Sequence, residues 1–233
     1  MNITILEDLA FQLDPAQVLQ KLHVREGSKQ VPKVLALTEK AQAIGRPKAI
    51  YRLAFIDSKG PDHVVVEGTK FTSRILRVNL ERPQRVFAYV ATAGRELEAW
   101  TAAHTDMLDN YWADAISEGV LYAARQTLDN HLKTRFAIPQ LAQMNPGSLA
   151  DWPIREQRPL FRMLGDGPAA IGVELLDSLL MTPAKTVSGL LFPTEESFAS
   201  CQLCPNEGCP NRRAPYDAGL FARKYAAGQK LET

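Results

Sequence analysis

The stretch RVFAYVATAGRELEAWTAAHTDMLDNYWADAISEGVLYAARQTLDNHL, residues 85–132, decides the fold. Its first seven residues, 85–91, are rich in β-forming and apolar side chains and predict a buried strand. From Leu97 to Leu132 apolar residues recur mostly at three- and four-residue steps, which predicts one long amphipathic helix with Gly119 as a candidate break. We expect Trp100, Tyr111 and Trp112 to be core residues of this helix.

Shorter helices and strands are predicted on both sides of this stretch. Their ends are indicated by Pro, Gly, Ser, Thr and Asp, which favour helix caps and turns. Asp14 is the expected N-cap of the first helix and Thr72 that of the third. The predicted helices are 15–23, 30–43, 73–79, 154–164 and 217–227. The predicted strands are 48–57, 63–67 and 186–192, with turns at 58–61 and 165–168. Helices and strands are mixed without regular βαβ units, which favours one α+β domain.

Composition excludes several classes of protein. The chain has 233 residues, of which 45% are hydrophobic and 23% charged, so it can bury an ordinary core. Its formal net charge of +1 provides no field that would attract nucleic acid or an anionic membrane. The first residues lack the basic segment of a secretory signal, and three cysteines are an odd number for a disulfide framework. We therefore expect a cytoplasmic protein without nucleic-acid or membrane partners.

All three cysteines of the chain lie within nine residues, in CQLCPNEGC. Cys201, Cys204 and Cys209 have C-x2-C-x4-C spacing, and the intervening prolines and glycine favour a turn that brings the sulfurs together. Thiolates are soft ligands suited to zinc or to an iron–sulfur cluster. The alternative is a mobile loop with incidental thiols or one disulfide. The four histidines show no ligand-type clustering.

Several short motifs resemble one known family, the activation domain of cobalamin-dependent methionine synthase, especially its short stand-alone forms. The similarity spans about residues 45–213. The motifs that carry it are Asn145-Pro146-Gly147-Ser148, Trp152-Pro153 with Gln157 and Leu160, the segment 180–189 (LMTPAKTVSG), Glu67-Gly68-Thr69, residues 91–94 (ATAG) and Asp114-Ala115.

The resemblance implies an α+β fold with a curved, mainly antiparallel sheet, flanking helices and one long central amphipathic helix. It implies a domain that binds S-adenosylmethionine and covers the corrinoid, and that supports the reductive methylation of accidentally formed cob(II)alamin. The expected organisation is an N-terminal helical segment at 1–44, the activation-like domain at 45–213 with the cysteine loop at 201–209, and a C-terminal helix and tail at 214–233. We have no functional prediction for residues 1–44.

The residues predicted to bind these cofactors come from the matching motifs. Pro146-Gly147 fixes one φ angle and frees the next, which suits a backbone that approaches a flat ligand closely. The alternative is an ordinary β-turn before a helix. The predicted cofactor-binding residues are Gln143, Asn145, Pro146, Gly147, Ser148, Pro183, Lys185, Ser188, Gly189 and Asp114.

Two positions depart from the family pattern, in which the first loop reads Arg-x-x-Pro-Gly-Tyr. Gln143 stands at the arginine position, and Ser148 stands at the tyrosine position. An arginine there would clamp a carboxylate through its planar fork, whereas glutamine forms hydrogen bonds but carries no charge.

If the protein acts on a corrinoid, the cysteine loop has a specific interpretation as a source of electrons. Reduction of cob(II)alamin to cob(I)alamin needs a low-potential electron, which an iron–sulfur cluster on these cysteines would supply, alone or with an electron-donor protein. Zinc has no redox chemistry and would only hold the loop. The leading hypothesis is reactivation of a cobalamin-dependent methionine synthase or another corrinoid protein. The alternatives are a non-catalytic corrinoid-protein-binding module with structural zinc, and a metal-bound interaction domain unrelated to cobalamin.

Overall fold

The computed structural model describes residues 3–7, 9–196, 198–209 and 212–226. The chain divides into two compact units. Unit 1 comprises Met1–Tyr51, Val90–Phe136 and Asp166–Val187, and unit 2 comprises Arg52–Tyr89, Ala137–Gly165 and Ser188–Thr233.

The α-helices are α1 (Pro15–Lys21), α2 (Val31–Ile44), α3 (Arg74–Asn79), α4 (Arg95–Ala102), α5 (Met107–Phe136), α6 (Gln157–Leu164) and α7 (Gly167–Ala170). The strands are β1 (Thr4–Leu6), β2 (Lys48–Lys59), β3 (His63–Val66), β4 (Thr69–Thr72), β5 (Arg85–Thr92), β6 (Leu141–Met144), β7 (Glu174–Leu175), β8 (Met181–Thr182) and β9 (Thr186–Pro193). Short 3-10 turns lie at Ile154–Glu156 and Ser200–Leu203, and one π-helical turn lies at Phe221–Tyr225.

Unit 1 is mainly helical. Helices α2 and α4 both pack against α5, and α1 packs against α2. The apolar stripe of α5 supplies Trp112, Ile116 and Val120 to a core that α2 completes with Val34 and other buried residues. The N-terminal helices that had no predicted role are therefore part of this core.

Two ion pairs also join the N-terminal segment to α5. Lys21 lies 2.6 Å from Glu118, and Lys33 lies 2.6 Å from Asp109. The hydrogen bond from Lys33 to Asp109 raises the pKa of this lysine. Acidic residues of the long helix are thus used in surface ion pairs, a kind of contact that contributes little to the free energy of unfolding.

The predicted long helix is two helices. The break lies between Ala102 and Met107, where Asp106 begins α5 by accepting hydrogen bonds from the amides of Leu108 (3.1 Å) and Asp109 (2.9 Å). This is the N-cap arrangement that satisfies amides without an intrahelical partner. Gly119 does not interrupt α5, because the packing of its neighbours outweighs a helix penalty of about 1 kcal/mol.

The prediction for the aromatic residues was right for two of three. Trp112 is 3% exposed, and Trp100 is half-buried against the unit 1 core. Tyr111 is 55% exposed, so its assignment to the core was wrong. Consecutive helix residues point about 100° apart, so Tyr111 and Trp112 cannot both lie on the same narrow stripe.

Unit 2 contains most of the sheet. Its strand order is β4-β3-β2-β5-β9-β6, and the pairs with a described register are antiparallel. The hairpin between β3 and β4 turns at Glu67 and Gly68, whose φ angles of 44° and 76° are those of a tight type I′ turn. Strand β1 pairs antiparallel with the first residues of β2 within unit 1. The predicted α+β class with a curved, mainly antiparallel sheet is confirmed.

Several local predictions were wrong. Ser73, and not Thr72, caps α3, because the Ser73 hydroxyl accepts from the Leu76 amide at 2.9 Å. Strands β4 and β6 were missed, whereas the equally short β3 was detected because its three valines follow a turn signal, and β4 and β6 contain no such run. The turn predicted at 165–168 overlaps α7. The C-terminal helix predicted at 217–227 is one π-helical turn at Phe221–Tyr225, and position 227 lies outside the described residues.

Over the described ranges, no helix combines the length and apolar character needed to cross a bilayer.

Candidate functional site

The Asn-Pro-Gly-Ser loop of unit 2 follows β6 and is held by the side chain of Asn145. The Asn145 amide nitrogen donates to the hydroxyl of Tyr89 and to the carbonyl of Ser188, both at 2.7 Å. Tyr89 is fully buried on β5, and Ser188 lies on β9. One amide group therefore fixes the loop to two strands. The sequence did not single out Tyr89, because a tyrosine in an apolar strand looks like any other core residue.

The next two residues have the backbone geometry that the sequence suggested. Pro146 is buried, whereas Gly147 is exposed with a φ angle of 86°. The Gly147 amide donates to the carbonyl of Trp152 at 2.7 Å. A Cβ on Gly147 would lie 2.8 Å from Ile154 Cδ1, the movable end of an exposed side chain, so the positive φ angle is what requires glycine here.

Strand β9 supplies two predicted residues beside this loop. A Cβ on Gly189 would lie only 2.3 Å from the carbonyl oxygen of Met144, so this glycine permits close packing of β9 against β6. Ser188 is 2% exposed, and its Oγ has no hydrogen-bond partner among the described residues. A buried hydroxyl without a partner is costly and is a group available to a ligand or a water molecule.

The two positions that depart from the family pattern lie at the ends of this segment. Gln143 is half-buried on β6, where its residue pairs with Leu191 of β9. Ser148 is exposed, and its amide donates to the carbonyl of Asn145 at 3.1 Å. Neither side chain brings a positive charge or an aromatic ring to the loop.

In unit 1, Glu98 of α4 holds the segment around Pro183. Its Oε1 accepts from the amide of Ala184 at 2.7 Å, and its Oε2 accepts from the hydroxyl of Thr182 at 3.5 Å. Pro183 is buried and follows a cis peptide bond. Glu98 was not among the predicted residues, since a glutamate on a helix surface is usually solvated.

The neighbouring residues of unit 1 bring three scattered motifs together. Lys185 Nζ lies 2.8 Å from the carboxylate of Asp114 on α5, and the Lys185 carbonyl accepts from the Ala93 amide at 2.9 Å. The hydroxyls of Thr186 and Thr92 lie 2.9 Å apart. The 180–189 segment therefore contacts both the ATAG motif and Asp114, although all three are far apart in the sequence.

The cysteine loop lies in unit 2. Cys201, Cys204 and Cys209 are free thiols and half-buried. Within the described ranges, no group of three or more His, Cys, Asp or Glu side chains is arranged to hold a metal ion. The iron–sulfur cluster and the alternative zinc site therefore stay predictions.

The environment of Cys201 favours its thiolate. Burial acts to raise the pKa of the thiol, but a hydrogen bond from the Arg213 amide at 3.4 Å and the positive charge of Arg213 outweigh it. The net result is a pKa below the ordinary value of a cysteine. Thiolates of this kind are both better metal ligands and better nucleophiles.

A separate groove of about 1320 Å³ lies in unit 2 beside α3 and the end of β9. None of the predicted site residues lines it. Its basic residues are engaged by neighbours: Arg82 pairs with Glu195, and Lys224 pairs with Glu196 at 2.6 Å. We therefore do not associate this groove with the predicted site.

Comparison with known proteins gives a result for the fold alone. The sequence matches no protein-family model and no curated protein. The structure resembles a crystal structure of the MetH reactivation domain bound to AdoHcy, with a TM-score of 0.57 and 14% sequence identity. The similarity covers 86% of this chain and 81% of the other. The chain therefore has the fold that the sequence motifs suggested.

Proposed function

We propose that this protein reactivates a cobalamin-dependent methionine synthase or a related corrinoid protein. The observation that carries the proposal is the similarity of fold, over 86% of the chain, to the MetH reactivation domain bound to AdoHcy. AdoHcy is what remains of S-adenosylmethionine after its methyl group has been transferred. A protein of this fold with the same type of ligand would supply a methyl group to the corrinoid of its partner.

The proposed reaction has two steps. Cob(II)alamin of the partner first takes one electron from a low-potential donor and becomes cob(I)alamin. The cobalt then attacks the methyl carbon of S-adenosylmethionine, the carbon–sulfur bond breaks, and the products are methylcob(III)alamin and AdoHcy. The first step needs a low-potential electron, which an electron-donor protein, or an iron–sulfur cluster that Cys201, Cys204 and Cys209 would hold, would supply.

The residues of unit 2 suit the binding of a flat ligand. Asn145 fixes the loop to β5 and β9, which leaves the exposed backbone at Gly147 in one conformation. Preorganisation of this kind lowers the entropic cost of binding. The buried Ser188 hydroxyl has no partner among the described residues and is available to a polar atom of the ligand.

The residues of unit 1 supply charge. Lys185 is half-buried and pairs with the exposed carboxylate of Asp114. We expect Lys185 to contact a phosphate or carboxylate group, with Asp114 orienting the lysine.

In unit 2, the neutral Gln143 would bind the carboxylate of S-adenosylmethionine more weakly than the arginine of the family pattern.

A second candidate is a corrinoid-protein-binding module without catalysis, in which the cysteines hold structural zinc. The observation that favours it is the pair of substitutions at Gln143 and Ser148, which removes a cation and a ring from the predicted site. Such a module would bind the partner without transferring a methyl group.

Calorimetric titration with AdoHcy and S-adenosylmethionine is the first test. We expect both ligands to bind, and Gln143→Arg to strengthen binding about tenfold, the equivalent of gaining one charge-assisted hydrogen bond. The control Lys70→Met changes an exposed lysine of β4 and should have no effect.

A second assay mixes the protein with the cobalamin-bearing part of a methionine synthase in the cob(II)alamin state, a chemical reductant and S-adenosylmethionine. Formation of methylcob(III)alamin, followed by its absorption spectrum, would support reactivation. Association without methyl transfer would favour the non-catalytic module, and absence of both would contradict the proposal. Iron, sulfide and zinc analysis of anaerobically purified protein distinguishes the cluster from zinc.

A further inference from the structure

The cysteine loop has an organising residue of its own. The guanidinium group of Arg212 donates to four backbone carbonyls: those of Cys201 (3.0 Å), Ala214 (2.9 Å), Cys204 (2.8 Å) and Asn206 (2.7 Å). Two nitrogens of one side chain thus join the start and the middle of the loop to the segment that follows it. The rigid fork of arginine suits such contacts, because its donors lie in one plane at fixed angles.

The backbone around these carbonyls is also hydrogen-bonded. The Cys204 amide donates to the Cys201 carbonyl at 3.2 Å, and the Arg212 amide donates to the Cys209 carbonyl at 3.1 Å. Behind the loop, the Asp217 amide donates to the carbonyl of Gln202 at 2.9 Å. These contacts are made by nitrogen and oxygen atoms, and a sulfur atom enters through the Arg213 amide, which donates to Cys201 Sγ at 3.4 Å.

A loop that folds around a metal has a different arrangement, because its sulfur atoms converge on the ion and the loop unfolds when the ion is removed. The three thiols here are free, and over the described residues they form no metal-binding group. The positive charge at the centre of the loop is that of Arg212, and carbonyl dipoles surround it.

We infer that Arg212, and not a metal ion, closes the cysteine loop, so that the loop keeps its conformation when no metal is bound. Arg212 is then a positioning residue that holds Cys201, Cys204 and Cys209 in one short segment. Folding of the loop then does not require these thiols to bind a soft metal ion or a cluster. This inference does not depend on the corrinoid function proposed above.

Hydrogen exchange measured by mass spectrometry on the full chain tests it. In the wild-type protein, treatment with a chelator and a thiol reductant should leave the protection of the amides of Cys204 and Cys209 unchanged. Arg212→Ala should increase their exchange rates by at least about tenfold, since several hydrogen bonds are lost together. The matched control is Arg213→Ala, which alters the exposed neighbouring arginine but keeps its amide, and it should retain protection.

Two further measurements keep the result interpretable. Protection of α5 amides reports whether a variant is folded, and Arg212→Lys provides a milder change that keeps the charge but loses the fork. Adding Zn²⁺ to Arg212→Ala tests for rescue: if metal restores protection there and has no effect on the wild-type loop, Arg212 replaces a metal as the closing group. Loss of protection in the wild-type protein on chelation would overturn the inference, as would unchanged protection in Arg212→Ala.

Discussion

The Asn145 loop and the cysteine loop, both in unit 2, are held in opposite ways. In the first, one neutral side chain inside the loop reaches outward to the buried Tyr89 and to β9. In the second, the charged side chain of Arg212 donates to carbonyls of the loop itself and of the residues beside it. The first loop therefore depends on the core, whereas the second is largely self-contained.

This difference has consequences for stability. Groups that anchor the Asn145 loop are buried or packed against backbone, so changing them leaves unsatisfied polar atoms or steric overlap. The cysteine loop is half-buried, and water can replace what is lost there. The same kind of substitution should therefore cost more free energy of unfolding in the first loop than in the second.

The largest effect should come from Gly189→Ala. A Cβ at this position would lie 2.3 Å from the carbonyl of Met144 and 2.6 Å from the Asn145 amide nitrogen. We expect a loss of about 3 kcal/mol in the free energy of unfolding, measured by urea denaturation, because backbone atoms of β6 must shift.

Gly119→Ala is its matched control. Gly119 lies within α5, and a Cβ there would be at an ordinary contact distance of 3.4 Å from Leu13 Cδ2. Because alanine favours a helix more than glycine does, this change should stabilise the protein by roughly 0.5–1 kcal/mol. An equal change in the free energy of unfolding for the two substitutions would show that the contact with β6 does not determine the cost of Gly189→Ala.

A smaller effect is expected from Asn145→Ala. It removes two hydrogen bonds to the hydroxyl of Tyr89 and the carbonyl of Ser188, which should cost about 2 kcal/mol. Tyr89→Phe removes one of these bonds and should cost about 1 kcal/mol. In the double variant the two losses should not add, because they share one contact. Full additivity in a double-mutant cycle would contradict the proposed anchor.

The smallest effect is expected when Cys201, Cys204 and Cys209 are all replaced by serine. The thiols are half-buried and free, so the free energy of unfolding should change by less than about 1 kcal/mol. Titration with a thiol reagent should find three reactive thiols in the wild-type protein and none in the variant. A loss of several kcal/mol would instead indicate a structural metal, whose binding energy is folding energy.

Much of the fold could be predicted from local patterns. Asp14-Pro15 begins α1 as expected, with the Asp14 side chain accepting from the Ala16 amide at 2.9 Å. The long apolar repeat identified α5, and the strand at 85–91 is β5 apart from one residue. These features depend on neighbours a few residues apart, so periodicity and caps are sufficient to detect them.

Predictions failed where distant residues decide the structure. Asp151 lies three residues before the helix predicted at 154–164, but its carboxylate accepts from the amides of Arg74 (3.2 Å) and Ile75 (2.9 Å) at the beginning of α3. Tyr89, Glu98 and Arg212 were not predicted to hold site segments, because each looks ordinary in its local sequence. The contacts of Tyr89 and Glu98 join residues 56 and 86 positions apart. Those of Arg212 lie within 11 positions but depend on the conformation of the loop, which the local sequence does not specify.

By itself, the sequence determined the α+β class, the long helix, the motifs at 145–148 and 180–189, and the cysteine spacing. Only the tertiary structure decided that the amide of Asn145 ties its loop to two strands, that Asp114 pairs with Lys185, and that Arg212 closes the cysteine loop. The physical reason is that hydrogen bonds and ion pairs depend on distances of about 3 Å, which chain folding sets and sequence spacing does not.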